Sequence, residues 1–193
     1  MLESISGVVQ KLTPTYAVVT ASGLGFYINI SVNTCEKLHE NTTCTLLLHE
    51  VIREDAFDLY GFFEENERTM FRLLISVSGI GANTARVILS KMTPSELATA
   101  ILSGDSATIQ SIKGIGEKTA QRVVLELKDK VSFADSDEKI VVSQGNTLKI
   151  ESLSALVMLG YQKSAAEKVV DAIMQESVQR SVEDIVKVAL KRL

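Results

Sequence analysis

The chain carries Gly79-Ile80-Gly81-Ala82-Asn83-Thr84-Ala85 and then Gly114-Ile115-Gly116-Glu117-Lys118-Thr119-Ala120, one phrase repeated 35 residues on with five of seven positions identical. Each copy follows an apolar turn and opens an apolar helical stretch. Two glycines ahead of a helix start leave backbone N–H groups unobstructed at the positive end of the helix dipole. Two such sites close in sequence suit an anion that itself repeats. The phrase therefore predicts two helical hairpins that grip a polyphosphate backbone.

The flanking residues sharpen this reading. Lys118 and Arg122 lie four apart on the helix after the second copy, so they share a face. Thr84 and Thr119 are placed to bond a phosphate oxygen or to cap a helix. The first copy is poorer in charge: Asn83 stands where the second copy has Lys118, and Arg86, one turn into the helix, is the compensating cation. Glu117 adds a negative charge beside the second loop. No GKS or GKT follows either glycine pair, which argues against a nucleotide-binding P-loop. Glycine turns with no ligand are the plainer alternative; the duplication and the Lys118–Arg122 pair favour phosphate contact. The pattern looks like the helix-hairpin-helix motif, which binds DNA through main-chain amides without regard to sequence. The expected DNA-binding set is Gly79, Gly81, Asn83, Thr84, Arg86, Gly114, Gly116, Lys118, Thr119 and Arg122.

The net charge of −4 is unevenly spread. Residues 1–65 hold three basic and nine acidic side chains, residues 66–130 nine and six, and residues 131–193 eight and nine. The only basic third carries the repeat, as expected of a nucleic-acid contact.

Outward from the repeat, the chain divides. Before Glu65 the apolar residues come in short runs: Ile5, Val8 and Val9; Ala17 to Val19; Phe26, Ile28 and Ile30; Leu46, Leu48 and Val51. Turn signals at Thr13-Pro14-Thr15 and Ala21-Ser22-Gly23-Leu24-Gly25 separate them. Several strands over about 60 residues predict a small barrel of OB type, with Gly7 and Gly25 at bulges or corners. From Glu65 the period becomes helical, through Phe71, Leu74, Ile75, Val87 and Ile88. Thr93-Pro94-Ser95-Glu96 is a capping box with proline at the first helical position. The expected domains are 1–64 (barrel), 65–131 (tandem hairpins), 132–147 (polar, flexible linker) and 148–193 (three-helix bundle). Within the last, Ser164-Ala165-Ala166-Glu167 is read as a second capping box, and Ser181 starts the final helix. The predicted class is mixed β and α.

Cys35, His39, Cys44 and His49 contain both cysteines and both histidines of the chain, but their spacing fits no closed zinc pattern. Reduced thiols, the absence of a signal segment and the lack of any apolar run of about 18 residues predict a cytoplasmic chain without a membrane span. No cofactor is expected.

Glu54 and Asp55, adjacent acids at a predicted hairpin tip, read either as a solvated turn or as magnesium ligands, although no third acid is forced to converge on them. Here a resemblance enters. REDAFDLYGF (53–62), SGIGANTA (78–85), KGIGEKTAQRVVLELKD (113–129) and ALVMLGY (155–161) resemble the corresponding segments of the RuvA family, which binds Holliday junctions during branch migration. The resemblance runs from the first strand to the last helix.

It implies a homotetramer, possible also as a double-layered octamer, holding the arms of an open four-way DNA junction. Glu54 and Asp55 would be its acidic pin. Carboxylates near phosphates repel by about 1 kcal/mol per pair at 4 Å in water, and by more where solvent is excluded. Such a pin disfavours continuous duplex. The family's C-terminal domain meets a RuvB-type hexameric ATPase, for which Leu156, Leu159 and Tyr161 are the expected contacts, with Leu156 equally suited to the bundle core. A RuvC-type junction nuclease is a further partner implied. No catalytic residue and no metal ligand is expected. A structure-selective nuclease or glycosylase is the rival from another class; Asp105 and Asp129 are its nearest carboxylates, and neither has a partner in the sequence. A general DNA-binding scaffold is the third reading.

Overall fold

The computed structural model describes residues 2–133, 140–141, 144–174 and 181–193. The chain forms two compact units, Met1–Ile140 and Val141–Leu193.

The first unit begins with a closed barrel in the order β1-β2-β3-β5-β4, built from β1 (Ser4–Leu12), β2 (Tyr16–Ala21), β3 (Leu24–Asn29), β4 (Thr43–Arg53) and β5 (Ala56–Phe62). A short helix, α1 (Val32–Cys35), separates β3 from β4. All pairings are antiparallel except β3 with β5, which closes the barrel through Ile28↔Leu59 and Asn29↔Tyr60. Alternate residues point inward, and Val9, Ala17, Val19, Ile28 and Leu46 are fully buried there. Each such aliphatic side chain larger than alanine stabilises the fold by about 1.5–3 kcal/mol.

The expectation of a bulge at Gly7 or Gly25 is corrected. The bulge lies between Val9 and Lys11, where the β1–β2 register shifts. Gly7 serves close approach instead: a Cβ there would sit 2.4 Å from the Thr20 carbonyl oxygen.

Along β5 four consecutive residues, Leu59 to Phe62, are buried. A strand covered on both faces reads this way. Leu59 enters the barrel core, while Tyr60 and Phe62 face a second, helical core. Phe71 on α2 (Glu65–Ile75) is its hub, with ring centroids 5.1 Å from Tyr60, 4.9 Å from Phe62 and 5.4 Å from His49. Helices α3 (Ala82–Lys91), α4 (Pro94–Ser103), α5 (Ser106–Gln110) and α6 (Glu117–Leu127) complete this layer. The capping box at α4 forms as expected: Glu96 N–H donates to Thr93 Oγ1 at 3.3 Å, and Thr93 N–H donates to Glu96 Oε2 at 2.8 Å.

Three buried or half-buried charged residues join the barrel to the helices. Arg68, 5% exposed, donates to the Glu3 carbonyl at 3.2 Å and to Glu65 at 2.7 Å. Glu67, 4% exposed, accepts from the Ser31 hydroxyl and, at 2.6 Å, from Thr34. Arg86 donates to the Thr15 carbonyl at 2.7 Å and the Ile30 carbonyl at 3.4 Å.

Two short strands, β6 (Ser132–Phe133) and β7 (Ile140–Val141), fall inside the expected linker. Its residues 134–139 and 142–143 lie outside the described residues. The second unit comprises α7 (Gln144–Met158), α8 (Lys163–Met174) and α9 (Val182–Ala189). They enclose Leu156, Ala166, Val170, Ile173, Ile185 and Ala189. The second capping box does not form, because α8 already begins at Lys163 and the Ala166 N–H bonds to the Gln162 carbonyl at 3.0 Å. Glu167 instead pairs with Lys149 of α7 at 3.3 Å. Ser181 caps α9 as expected, its hydroxyl accepting from the Asp184 N–H at 3.3 Å. Among the described residues no helix is long and apolar enough to cross a membrane.

Candidate nucleic-acid interface

The two glycine phrases fold alike. After α2 the Val77 N–H bonds to the Leu74 carbonyl at 3.0 Å, and the Ile80 N–H to Val77 at 3.1 Å. After α5 the Ile112 N–H bonds to Ile109 at 3.2 Å, and the Ile115 N–H to Ile112 at 3.1 Å. Ile80 and Ile115 are buried beneath the loops. Gly79 and Gly114 sit at φ 95° and 94°, a region that penalises any side chain. Gly81 and Gly116 then serve as N-caps of α3 and α6.

Neither N-cap glycine supplies a side-chain hydrogen bond. In contrast, α1, α4, α5 and α9 are capped by Ser31, Thr93, Asp105 and Ser181. The first amides of a helix have no acceptor within it. At α3 and α6 they are therefore left open beside exposed glycines, the arrangement that suits a phosphate oxygen.

The loops are neighbours. Arg122 of α6 donates to the Ser78 carbonyl in the first loop at 3.1 Å, and a Cβ on Gly79 would lie 3.9 Å from Thr119 Oγ1. Arg122 also faces Glu126 at 3.8 Å. The two hairpins thus present their amides as one double site. The expected cations around it differ in their surroundings. Lys118 is exposed and has no hydrogen bond or ion pair among the described residues. Arg122 stays half exposed but is tied to Ser78. Arg86 turns toward the barrel, and Asn83 accepts from it at 2.8 Å. Thr84 and Thr119 are half-buried at the first turns of α3 and α6. Lys113, directly before Gly114, is a further exposed and unpaired cation among the described residues. Its signal in the sequence was its place in the loop, where the first copy has Ser78.

Glu54 and Asp55 form the turn between β4 and β5. Both are exposed, and neither has a hydrogen bond or ion pair among the described residues. The strands carry them beyond the barrel: β1 pairs with β4 only from Thr43 to Leu47, and β3 meets β5 only at Leu59 and Tyr60. Residues 51–58 are therefore a two-stranded ribbon, with pairing up to Arg53↔Ala56. Arg53 and Asp58 form an ion pair across it, leaving the tip acids uncompensated.

Asp105, one carboxylate of the rival enzymatic reading, is committed to the fold. It caps α5, accepting from the Thr108 N–H at 3.0 Å. The Thr108 hydroxyl, which also donates to it, and then that N–H hold its carboxyl below the usual range. Asp129 is exposed after the end of α6.

In the second unit, Leu156 is fully buried and has no surface to offer a partner. Leu159 and Tyr161 are 59% and 36% exposed, beside Val157 and Met158 at 42% and 85%. Val157 and Met158 were not among the expected contacts, which the resemblance confined to Leu156, Leu159 and Tyr161.

Comparison with known proteins agrees with this geometry. Residues 1–61 match the RuvA N terminal domain, residues 71–129 the SAM-like helix-hairpin-helix tandem, and residues 151–193 the RuvA C-terminal domain. Proteins named Holliday junction branch migration complex subunit RuvA are similar throughout. The one from Christiangramia forsetii is 49% identical, that from Flavobacterium psychrophilum 47% and that from Parabacteroides distasonis 46%, each covering 100% of both chains. With barrel, paired hairpins and C-terminal helices each matched in order, the chain belongs to the RuvA family.

Proposed function

We propose that this chain is a non-catalytic DNA-binding subunit that recognises four-way junctions in open form and recruits a RuvB-type ATP-driven motor for branch migration in recombination and repair. The observation that carries the reading is the double site at Gly79–Thr84 and Gly114–Thr119, two uncapped helix starts side by side. They hold phosphates through backbone amides, which do not read sequence. Lys113, Lys118 and the free edge of Arg122 add charge. Glu54 and Asp55, on a ribbon free of the barrel, repel the continuous backbone of a duplex and tolerate the opened centre of a junction. The relatives that match over their full length, each named as a branch migration complex subunit, support the assignment.

The rest follows from this division of labour. A single copy offers one double site, and four arms ask for four, so the working form is a homotetramer, with an octamer as its doubled state. The limits 1–64, 65–131, 132–147 and 148–193 separate barrel, hairpins, joint and motor-binding bundle. The chain hydrolyses nothing; the ATPase belongs to the motor, and a RuvC-type nuclease supplies any cleavage. Leu159 and Tyr161 meet the motor from above the Leu156 core. The site of action is the cytoplasm.

A gel-shift competition between a synthetic four-way junction and a duplex of equal length tests the reading. Junction binding that survives a large duplex excess is expected. Equal affinity for both would reduce the chain to a general DNA scaffold, and cleavage of the junction in magnesium would make it an enzyme.

A further inference from the structure

The ribbon that carries the acidic tip has a face of its own. Ile52 and Phe57 are directly opposed across β4 and β5, so their side chains share one side. That side continues the inward face of the barrel: Leu48 and Leu59, on the same alternation of the two strands, are buried in the barrel core. Past the rim the same alternation meets no core. Ile52 is 71% exposed and Phe57 57%. The opposite side carries Arg53 and Asp58, which neutralise one another. The tip thus has two uncompensated carboxylates and, immediately behind them, an apolar shoulder with one aromatic ring.

Charge decides what this shoulder accepts. A duplex offers phosphates, which Glu54 and Asp55 repel. A second copy of the same ribbon brings the same two carboxylates and is repelled likewise. An unpaired base offers an uncharged π face to the ring and amino hydrogens to the carboxylates. We infer that Ile52 and Phe57 are a base-contacting shoulder of the pin, taking the face of a nucleobase unpaired at the junction centre while Glu54 and Asp55 accept from its amino edge. This rests on the junction reading above. It changes the pin from a purely repulsive device into one that also holds bases between separation and re-pairing.

The test compares two four-way junctions, one fully paired to the crossover and one with unpaired bases there, and uses the full chain. The parent is expected to prefer the unpaired centre. Ile52→Thr with Phe57→Thr, which puts strand-favouring β-branched residues at both positions, should lower that preference by about tenfold, the effect of losing one base stack. Phe57→Tyr, which keeps a ring, should retain it. Melting temperature and solution mass should not change, since neither side chain enters a core. A parent that prefers junction to duplex but ignores the unpaired bases overturns the base contact alone. So does a double variant with an unchanged ratio. A drop in mass in the double variant makes the shoulder a contact between copies of the chain and also overturns the proposal. Equal affinity for junction and duplex removes the junction reading itself, and this inference with it.

Discussion

Arg122 reaches from the helix of the second hairpin to the Ser78 carbonyl in the loop of the first, at 3.1 Å. The two hairpin loops are therefore tied to one another by a residue that has the sequence signature of a phosphate ligand. Lys118, one turn earlier, carries no such tie among the described residues. The two cations should separate by experiment. Lys118→Ala is expected to weaken junction binding and lower the salt slope by about one, as one released counterion demands. Arg122→Ala is expected to weaken binding too, and also to destabilise the chain by about 1 kcal/mol, a charged hydrogen bond discounted for its exposure. Salt titrations and urea melts on both variants check this. Equal salt slopes with equal stabilities would mean that the Ser78 contact has no consequence.

Gly116 offers a sharper separation of stability from binding. Its φ of −80° suits any residue, and a Cβ there meets nothing within 4 Å. Gly116→Asp should cap α6 and leave stability unchanged or higher by a few tenths of a kcal/mol. The same carboxylate occupies the amides that a phosphate needs and repels it. Junction affinity should fall at least tenfold in a protein that melts no earlier than the parent. Retained affinity would show that the amides of α6 do not touch DNA.

In the proposed function Glu54 and Asp55 act through charge on shape. Glu54→Gln with Asp55→Asn leaves the Arg53–Asp58 pair and the ribbon register in place. Each lost carboxylate removes about 1 kcal/mol of repulsion per nearby phosphate. Duplex binding should therefore rise about fivefold or more, and the junction preference should narrow. Gel-shift competition measures it; an unchanged or wider preference would take the acids out of recognition.

Glu67 shows why part of this molecule was not legible in the sequence. The repeat, the strand runs and the α4 capping box are local patterns, and their structures follow from spacing alone. No local pattern marks Glu67 and Arg68 as buried, yet both are, because the barrel comes to lie against α2. Arg86 read as a phosphate ligand for the same reason: nothing nearby in sequence announces the carbonyls of Thr15 and Ile30. Charged groups that join two layers are decided by tertiary contact, which local periodicity does not encode. Leu156 was ambiguous in the sequence because a small bundle needs most of its apolar residues inside.

The burial of Glu67 has a measurable sign. Desolvation raises its carboxyl above the ordinary range, opposed by the hydroxyls of Ser31 and Thr34 and by the charge of Lys37. The native state then holds the proton more tightly than the unfolded chain. Stability contributed here is present below the unfolded value of about 4.3 and is lost as pH rises through the folded one. Glu67→Gln removes that dependence. The stability difference between variant and parent should move in favour of the variant as pH rises from about 4 to about 7, whatever its starting value. Urea melts across that range check it. A difference that does not move with pH would mean that the carboxyl titrates as it does in the unfolded chain.

In the second unit one helix end carries both core and surface apolar residues. Leu156 is fully buried, whereas Leu159 and Tyr161, just past the end of α7, are exposed. Leu156→Ala should cost about 2–5 kcal/mol in that unit and lose motor stimulation through unfolding. Leu159→Asp with Tyr161→Ser should leave its stability within about 0.5 kcal/mol, as surface changes do. If these side chains meet the motor, the double variant should bind junctions as tightly as the parent and fail to stimulate the motor's ATPase. A charged group placed in an apolar contact is disfavoured far more strongly than the same group in water. Circular dichroism on the double variant separates the two causes. Full stimulation by a folded double variant would move the motor contact elsewhere on the bundle.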